Sequence, residues 1–176
     1  NIDAANKHIY PGFIALNTSL GLGEIDAVRA TIDEDEIGDF LPHVRSIIAY
    51  NAESKVVETL RMNGVLLSQI APNGGIISGS SSVVQLDAWN WEDAVIRYDQ
   101  GIHLNWPSPY SRSGYSYYRG PSVIKKSDKY ESNVEEIKNF FDSSKAYLND
   151  PNPNPVSLPY KACLLYTSDA ADEADG

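Results

Sequence analysis

Cysteine, basic residues and long apolar runs are scarce in this sequence, and each scarcity excludes a class of protein. One cysteine among 176 residues can form no internal disulfide and no Cys-based zinc site. No run approaches the ~18 apolar residues of a spanning helix, so we predict no membrane-spanning segment. The 14 Lys and Arg against 24 Asp and Glu give a net charge of −10, which argues against a nucleic-acid partner bound through its phosphates. A hydrophobic content of 42% is that of a folded globular domain.

Neither end of the sequence has the features of a native terminus. Asn1 stands where an initiator Met is expected, and no basic stretch followed by an apolar run marks an export signal. We therefore expect the gene to begin upstream. From Cys163 onward, Cys-Leu-Leu-Tyr-Thr-Ser-Asp-Ala-Ala-Asp-Glu resembles the in-frame translation of a transposase-type sequencing adaptor, the alternative being a natural acidic tail. We predict one domain segment, 1–162, and a non-native tail, 163–176.

The order of apolar runs and helical periods favours an α/β fold. A strand, a loop, a helix and a further strand follow one another early in the chain, as in units with a helical crossover. A long amphipathic helix comes later. The predicted elements are a buried strand at His8–Leu16, a helix at Ser54–Asn63, strands at Val65–Ala71 and Ser82–Leu86, and a helix at Tyr130–Leu148.

Several polar segments are candidate sites, each with a plainer structural interpretation. The serines of Ser78–Ser82 lack the Gly-x-Ser-x-Gly and phosphate-loop patterns, so we interpret them as a flexible turn. Asp87–Asp93 mixes carboxylates with two tryptophans, as sugar sites do, although packing and solvated acids explain it equally. His103 is either a hydrogen-bonded loop histidine beside tryptophans or a pocket residue that contacts substrate.

Two segments carry a family resemblance. The first is Lys7–Gly21, with its Pro-Gly, apolar run and closing Leu-Gly. The second is Gly64–Leu86, where Gly-Val-Leu-Leu leads through Ala-Pro and Gly79 to a short apolar run. In this order they resemble the first barrel strands of the amidohydrolase superfamily, especially members similar to imidazolonepropionase.

The resemblance breaks at the residues that hold metal in that family. There the first strand ends in His-x-His, because residues i and i+2 of a strand face the same way and reach one metal at its carboxyl end. Here the two positions are Asn17 and Ser19, and neither is a usual zinc ligand. We predict no metal ligands in this sequence, and Asn17 and Ser19 as substrate-binding residues or as polar side chains filling the barrel mouth.

The resemblance implies part of a bacterial (β/α)8 barrel, truncated at both ends, with residues 1–162 as its N-terminal part. The family hydrolyses non-peptide carbon–nitrogen bonds of small molecules, usually with a divalent metal such as zinc. The family resemblance also favours export to the periplasm. The fragment itself would be inactive, with no cofactor evident. The alternatives are a non-catalytic ligand-binding relative and a small carbohydrate-binding module.

Overall fold

A mixed four-stranded sheet is the centre of the structure. The computed structural model describes residues 5–25, 28–112, 124–152 and 156–163. The strands are β1 (Phe13–Thr18), β2 (Val65–Ile70), β3 (Ile77–Gln85) and β4 (Val95–Leu104), and they lie side by side in that order. β1 and β2 are parallel, whereas β3 runs antiparallel to both β2 and β4. The fold is therefore α/β, and within the described residues the sheet is open rather than closed into a barrel.

The segment between the two parallel strands contains a short 3-10 turn and two α-helices, the second of which leads directly into β2. α2 (Lys55–Met62) starts after Ser54, whose Oγ accepts a hydrogen bond from the Val56 amide at 3.3 Å. It ends before Gly64, which takes the left-handed φ of +87° that favours glycine at this position. The predicted parallel pairing of the first two strands, with this helix between them, is confirmed.

The first strand was predicted to be buried, and this is wrong. β1 begins at Phe13 rather than at His8, and the apolar side chains around it face solvent in the described structure. Ile9 is 80% exposed, Phe13 70% and Leu16 69%. The physical reason is position: β1 is an edge strand whose sheet neighbour lies on one side alone.

The hydrophobic core lies where α1 (Ser46–Ala49) and α2 pack against the middle of the sheet. It joins residues from both helices, from the turn after β1 and from β2 and β3. Its largest buried members are Leu22, Ile47, Tyr50, Val57, Ile70, Val84 and Leu86. The two inner strands, β2 and β3, are thus anchored more firmly than the edges.

The serine-rich segment was predicted to be a turn, and this too is wrong. Ser78, Ser80, Ser81 and Ser82 all lie within β3 and are at most 1% exposed. Their hydroxyls form hydrogen bonds to neighbouring segments, for example from Ser78 Oγ to the Gly74 carbonyl at 2.7 Å. Because such bonds satisfy the buried hydroxyls, a polar run can occupy a central strand.

The later part of the chain forms a hairpin and a long helix. β5 (Tyr110–Arg112) pairs with β6 (Ile124–Lys126), and α4 (Tyr130–Asn149) confirms the predicted amphipathic helix. Phe140 of α4 stacks on Phe40 with ring centroids 4.5 Å apart. Among the described helices none is both long and apolar enough to cross a bilayer.

The predicted non-native tail falls almost wholly outside the described residues. Residues 158–163 are helical, and Cys163, where the tail was predicted to begin, is buried. Burial raises the pKa of the Cys163 thiol, while a hydrogen bond with Ser144 acts in the opposite direction. Residues 164–176 lie outside the described ranges, so the tail stays a prediction.

Candidate functional site

Polar segments gather at one edge of the sheet. β1, β2 and β4 run in the same direction, so their carboxyl ends share an edge with the start of β3. The segments at this edge are Asn17–Ser19, Pro72–Gly75 and His103–Asn105. In α/β proteins the carboxyl ends of parallel strands are where ligands usually bind. This edge is the candidate functional site.

The end of β1 is irregular. Its pairing with β2 passes from Ala15 opposite Ser68 to Thr18 opposite Ile70, so β1 uses one more residue than β2 over this stretch. Asn17 lies in this bulge, is exposed and has a φ of +52°. A bulge breaks the alternation of side chains along a strand. The i and i+2 geometry from which a shared ligand position was predicted for Asn17 and Ser19 is therefore interrupted.

Hydrogen bonds nevertheless hold the end of β1 in place. Thr18 Oγ1 lies 2.9 Å from Ser68 Oγ, and the Thr18 carbonyl accepts a bond from the Ala71 amide at 2.8 Å. The half-buried Ser19 accepts a bond at its carbonyl from the Leu22 amide at 2.9 Å, closing a tight turn. Asn17 and Ser19 thus stand on a fixed backbone.

The turn after β1 rests on an aromatic ring. Gly21 has a φ of +74°, and a Cβ added there would lie 2.6 Å from Cε2 of Tyr50. The Asn51 amide donates to the Gly21 carbonyl at 2.9 Å. Tyr50 is 5% exposed, and its hydroxyl has no hydrogen-bond partner among the described residues. Burial raises the pKa of Tyr50 to about 12.

His103 lies in a strand, not in a loop as one interpretation predicted. It belongs to β4, opposite Gly79 of β3, and is half-buried. Burial lowers the pKa of His103, so the imidazole favours its neutral form. β4 is the outer strand farthest from β1, about 14 Å away at ~4.8 Å per strand spacing. The edge therefore carries Asn17 and Ser19 at one side and His103 at the other.

A charged network that sequence patterns missed ties β4 to β3 and to the segment before α1. Asp99 of β4 accepts bonds from Arg45 Nε at 2.9 Å and from Ser80 Oγ at 2.9 Å, while its amide donates to Ser82 Oγ at 3.0 Å. Its side chain is 10% exposed, and its φ of +47° is unusual for a non-glycine residue. The Arg45 guanidinium also lies 5.8 Å from the centre of the Tyr98 ring. No local spacing signals this network, since its partners are far apart in sequence.

A hollow of about 480 Å³ opens beside Arg45. It is bounded by the segment that follows the turn after β1, by the start of α1, and by Pro72 at the end of β2. Its charged and imidazole lining comes from Asp33, Glu34, Glu36, His43 and Arg45. A volume of this size suits a small molecule.

The described residues do not fit the metal that the resemblance implies. Asn17 and Ser19 offer neutral oxygen atoms as possible ligands. Asn17 also lies in an exposed bulge. Zinc prefers His, Cys or carboxylate ligands, and the described ranges hold no group of three such residues placed to bind a metal ion. Metal binding at this edge therefore has no support from the residues present here.

The three tryptophans do not form one cluster. Trp89 and Trp91 lie at the beginning of α3 (Trp91–Ala94), before β4, whereas Trp106 follows the other end of β4. The ten residues of β4 separate them by roughly 33 Å at ~3.3 Å per residue. Trp91 packs against the core, while Trp89 is 86% exposed and Trp106 55%. The three tryptophans, whose closeness in sequence suggested a carbohydrate-binding module, are therefore not all close together in the structure.

Comparison with known proteins gives one likeness of fold. No protein-family model and no curated protein matches the chain. Among solved structures, it is similar to an amidohydrolase from Thermotoga maritima MSB8, with a TM-score of 0.64 and 16% sequence identity. The likeness covers 92% of this chain and 45% of that one, so the chain spans less than half of the neighbour's length. At this identity the comparison shows a shared fold.

Proposed function

We propose that this chain is part of an amidohydrolase-like protein that hydrolyses a non-peptide carbon–nitrogen bond in a small molecule. The observation that carries the proposal is the parallel β1–α2–β2 unit. The sequence resemblance to amidohydrolases predicted that unit, and the fold likeness to an amidohydrolase extends over 92% of the chain. The first line of support rests on residue patterns and the second on backbone geometry.

In this proposal β1 and β2 are neighbouring strands of a (β/α)8 barrel. The β3–β4 hairpin is then an excursion from it, since β3 runs antiparallel to β2 and consecutive barrel strands run parallel. The apolar side chains of β1 are exposed here, whereas barrel strands are covered on both faces. This exposure supports the proposal, because the rest of the barrel would cover these side chains. The remaining strands would come from polypeptide outside this sequence.

Asn17, Ser19 and His103 are the proposed substrate-binding residues. The Asn17 amide both donates and accepts hydrogen bonds, as does the Ser19 hydroxyl, and a substrate amide needs both functions. His103, neutral because of its burial, can also donate from one ring nitrogen and accept at the other. These groups bind and orient the substrate. Groups that activate water or transfer protons in hydrolysis are not assigned among them.

A non-catalytic ligand-binding relative is the second candidate. The observation that favours it is the replacement of both expected imidazoles by Asn17 and Ser19, together with the bulge between Ala15 and Thr18. A protein that has lost the ligand pair retains the means to bind a substrate-like molecule while losing the means to cleave it.

The test is made on the parent protein that carries this segment. Wild type is assayed against cyclic amides, cyclic imides and N-acyl amino acids, with release of the free amine or ring opening as the readout. We expect Asn17→Ala and Ser19→Ala to raise KM more than they lower kcat, as for groups that bind the ground state and the transition state alike. Asn139→Ala, on the exposed surface of α4, is the matched control.

The outcomes separate the two candidates. Turnover with a KM that responds to the Asn17 and Ser19 variants supports the hydrolase. Saturable binding of these compounds with no turnover supports the binding protein. Turnover that is the same in wild type and both variants contradicts the placement of the site at the end of β1. Elemental analysis of wild type and both variants checks the metal: tightly held zinc that is lost on substitution of Asn17 or Ser19 would contradict the ligand argument.

A further inference from the structure

A second concave surface lies away from the proposed site. A hollow of about 420 Å³ runs between α2 and residues 86–89, and another of about 340 Å³ adjoins it. Both are lined by Arg61, Ala88 and Trp89. Residues 86–94 connect the end of β3 to the start of β4, so Trp89 stands at the opposite edge of the sheet from Asn17, Ser19 and His103.

The backbone that carries Trp89 is held by a reciprocal set of hydrogen bonds. The Asp93 amide donates to Asn90 Oδ1 at 2.8 Å, and the Trp89 amide donates to Asp93 Oδ2 at 3.2 Å. Gln85 Nε2, at the end of β3, donates to the Asp93 carbonyl at 2.9 Å. The indole is 86% exposed on this fixed turn. The fixed backbone places the exposed indole beside both hollows, where its face is accessible to a ligand.

Two ion pairs lie along the hollows around the indole. Arg61 and Asp87 form an ion pair, and Lys55 Nζ lies 2.9 Å from Glu58 Oε2 along the larger hollow. The cleft therefore offers planar carboxylate and guanidinium groups with free hydrogen-bonding positions, and its remaining charges are the carboxylates of Glu53 and Asp93, which disfavour an anionic ligand. A nucleic acid or another polyanion does not suit a chain with a net charge of −10.

The geometry points to a second ligand site at this cleft, centred on Trp89, that binds a neutral sugar. A pyranose ring has an apolar face of C–H groups that can stack on an exposed indole. Its hydroxyls, each both donor and acceptor, match the Arg61 guanidinium and the Asp87 carboxylate. The two adjoining hollows suit an oligosaccharide, with sugar units on both sides of the indole. This inference is independent of the hydrolase proposal, since it uses the other edge of the sheet.

The experiment measures binding of maltopentaose, cellopentaose and penta-N-acetylchitopentaose to the 176-residue chain by saturation-transfer NMR. Protein is kept dilute, so that self-association through the exposed β1 strand is least. We expect at least one oligosaccharide to bind, and Trp89→Ala to weaken it by about tenfold or more. Trp106→Ala is the matched control, because Trp106 is also exposed but lies beyond the other end of β4. Arg61→Gln should weaken binding as well.

Near-ultraviolet circular dichroism checks that each variant folds, and the 86% exposure of Trp89 makes its removal a small structural change. No binding tighter than about 10 mM by any of the three sugars overturns the proposal. So does equal weakening by Trp89→Ala and Trp106→Ala. Tetramethylammonium is titrated in parallel: its binding in place of the sugars would identify a cation site and would also overturn the proposal.

Discussion

The unpaired hydroxyl of Tyr50 gives the sharpest test of the core. Tyr50 is 5% exposed, and among the described residues its Oη has no hydrogen-bond partner. A buried hydroxyl without a partner loses its bonds to water and regains none, which costs about 1–3 kcal/mol. Tyr50→Phe removes the hydroxyl and keeps the ring that supports Gly21. We therefore expect the free energy of unfolding to rise by about 1 kcal/mol, or Tm by roughly 2–4 °C for a chain of this length.

The matched control is a tyrosine whose hydroxyl is paired. Tyr147 Oη accepts a hydrogen bond from the Ser157 amide at 3.1 Å. Tyr147→Phe removes that bond, so we expect it to lower stability by about 0.5–1.5 kcal/mol. The two substitutions are chemically identical and should have opposite signs. Urea unfolding of the three proteins measures both changes.

The pH dependence of Tyr50 supplies a second readout. Burial raises its pKa from 10.0 to about 12 in the fold, so the unfolded chain ionises first as pH increases. The contribution of this pKa difference to stability is fully present below pH 10 and is lost as the pH rises through about 12. The difference corresponds to roughly 2–3 kcal/mol of unfolding free energy. Tyr50→Phe should flatten this alkaline decline. A variant that is less stable than wild type at neutral pH would show that Oη has a partner, and would refute the reasoning.

Three further predictions address the site and the sheet edge. Gly21→Ala should lower the free energy of unfolding in urea by about 1–2 kcal/mol, because the alanine would have a φ of +74° and a Cβ 2.6 Å from the Tyr50 ring. The control is Gly101→Ala, which should change stability little because the space around Gly101 is open. Burial lowers the pKa of His103, so the unfolded chain binds a proton at this residue before the folded chain does as the pH falls. The free energy of unfolding should therefore decrease as the pH drops below about 6.5. In unfolding curves measured between pH 8 and pH 5, His103→Gln should reduce the slope of that free energy against pH. Leu16→Lys should reduce self-association of the 176-residue chain in analytical ultracentrifugation, because a charge on an exposed apolar edge strand opposes edge-to-edge pairing. Unchanged association would mean that the chains contact one another elsewhere.

Local signals in the sequence were enough to predict the βαβ unit. Ser54 before α2 and Gly64 after it act within a few residues of the helix ends, so their roles can be recognised without the fold. Val65–Ile70 follows as a short apolar run and is the strand that it was predicted to be. The long helix α4 was likewise visible from its periodicity.

Features that depend on distant partners were not predictable in this way. The serine-rich pattern of β3 predicts a turn, because composition alone does not reveal hydroxyl partners such as Asp99, nineteen residues away from Ser80. Burial of β1 was overestimated because an apolar run does not tell an inner strand from an edge strand. The bulge at Asn17 depends on how β1 aligns with β2, and no pattern within β1 specifies that register.

The two irregular features of the sheet have one consequence for the site. Asn17, in the bulge of β1, and Asp99, with its left-handed backbone in β4, are strand residues with positive φ on opposite outer strands. Asp99 is fixed by Arg45 and Ser80, and so ties the segment before α1 to β3 and β4. Among the described residues no hydrogen bond anchors the Asn17 side chain, and its neighbour Thr18 supplies the contacts to β2 instead. The positive φ of Asp99 is therefore accounted for by its packing contacts, whereas the Asn17 side chain is exposed. Backbone strain that packing contacts do not explain is often found at functional sites, which favours Asn17 over Asp99 for the proposed role in binding substrate.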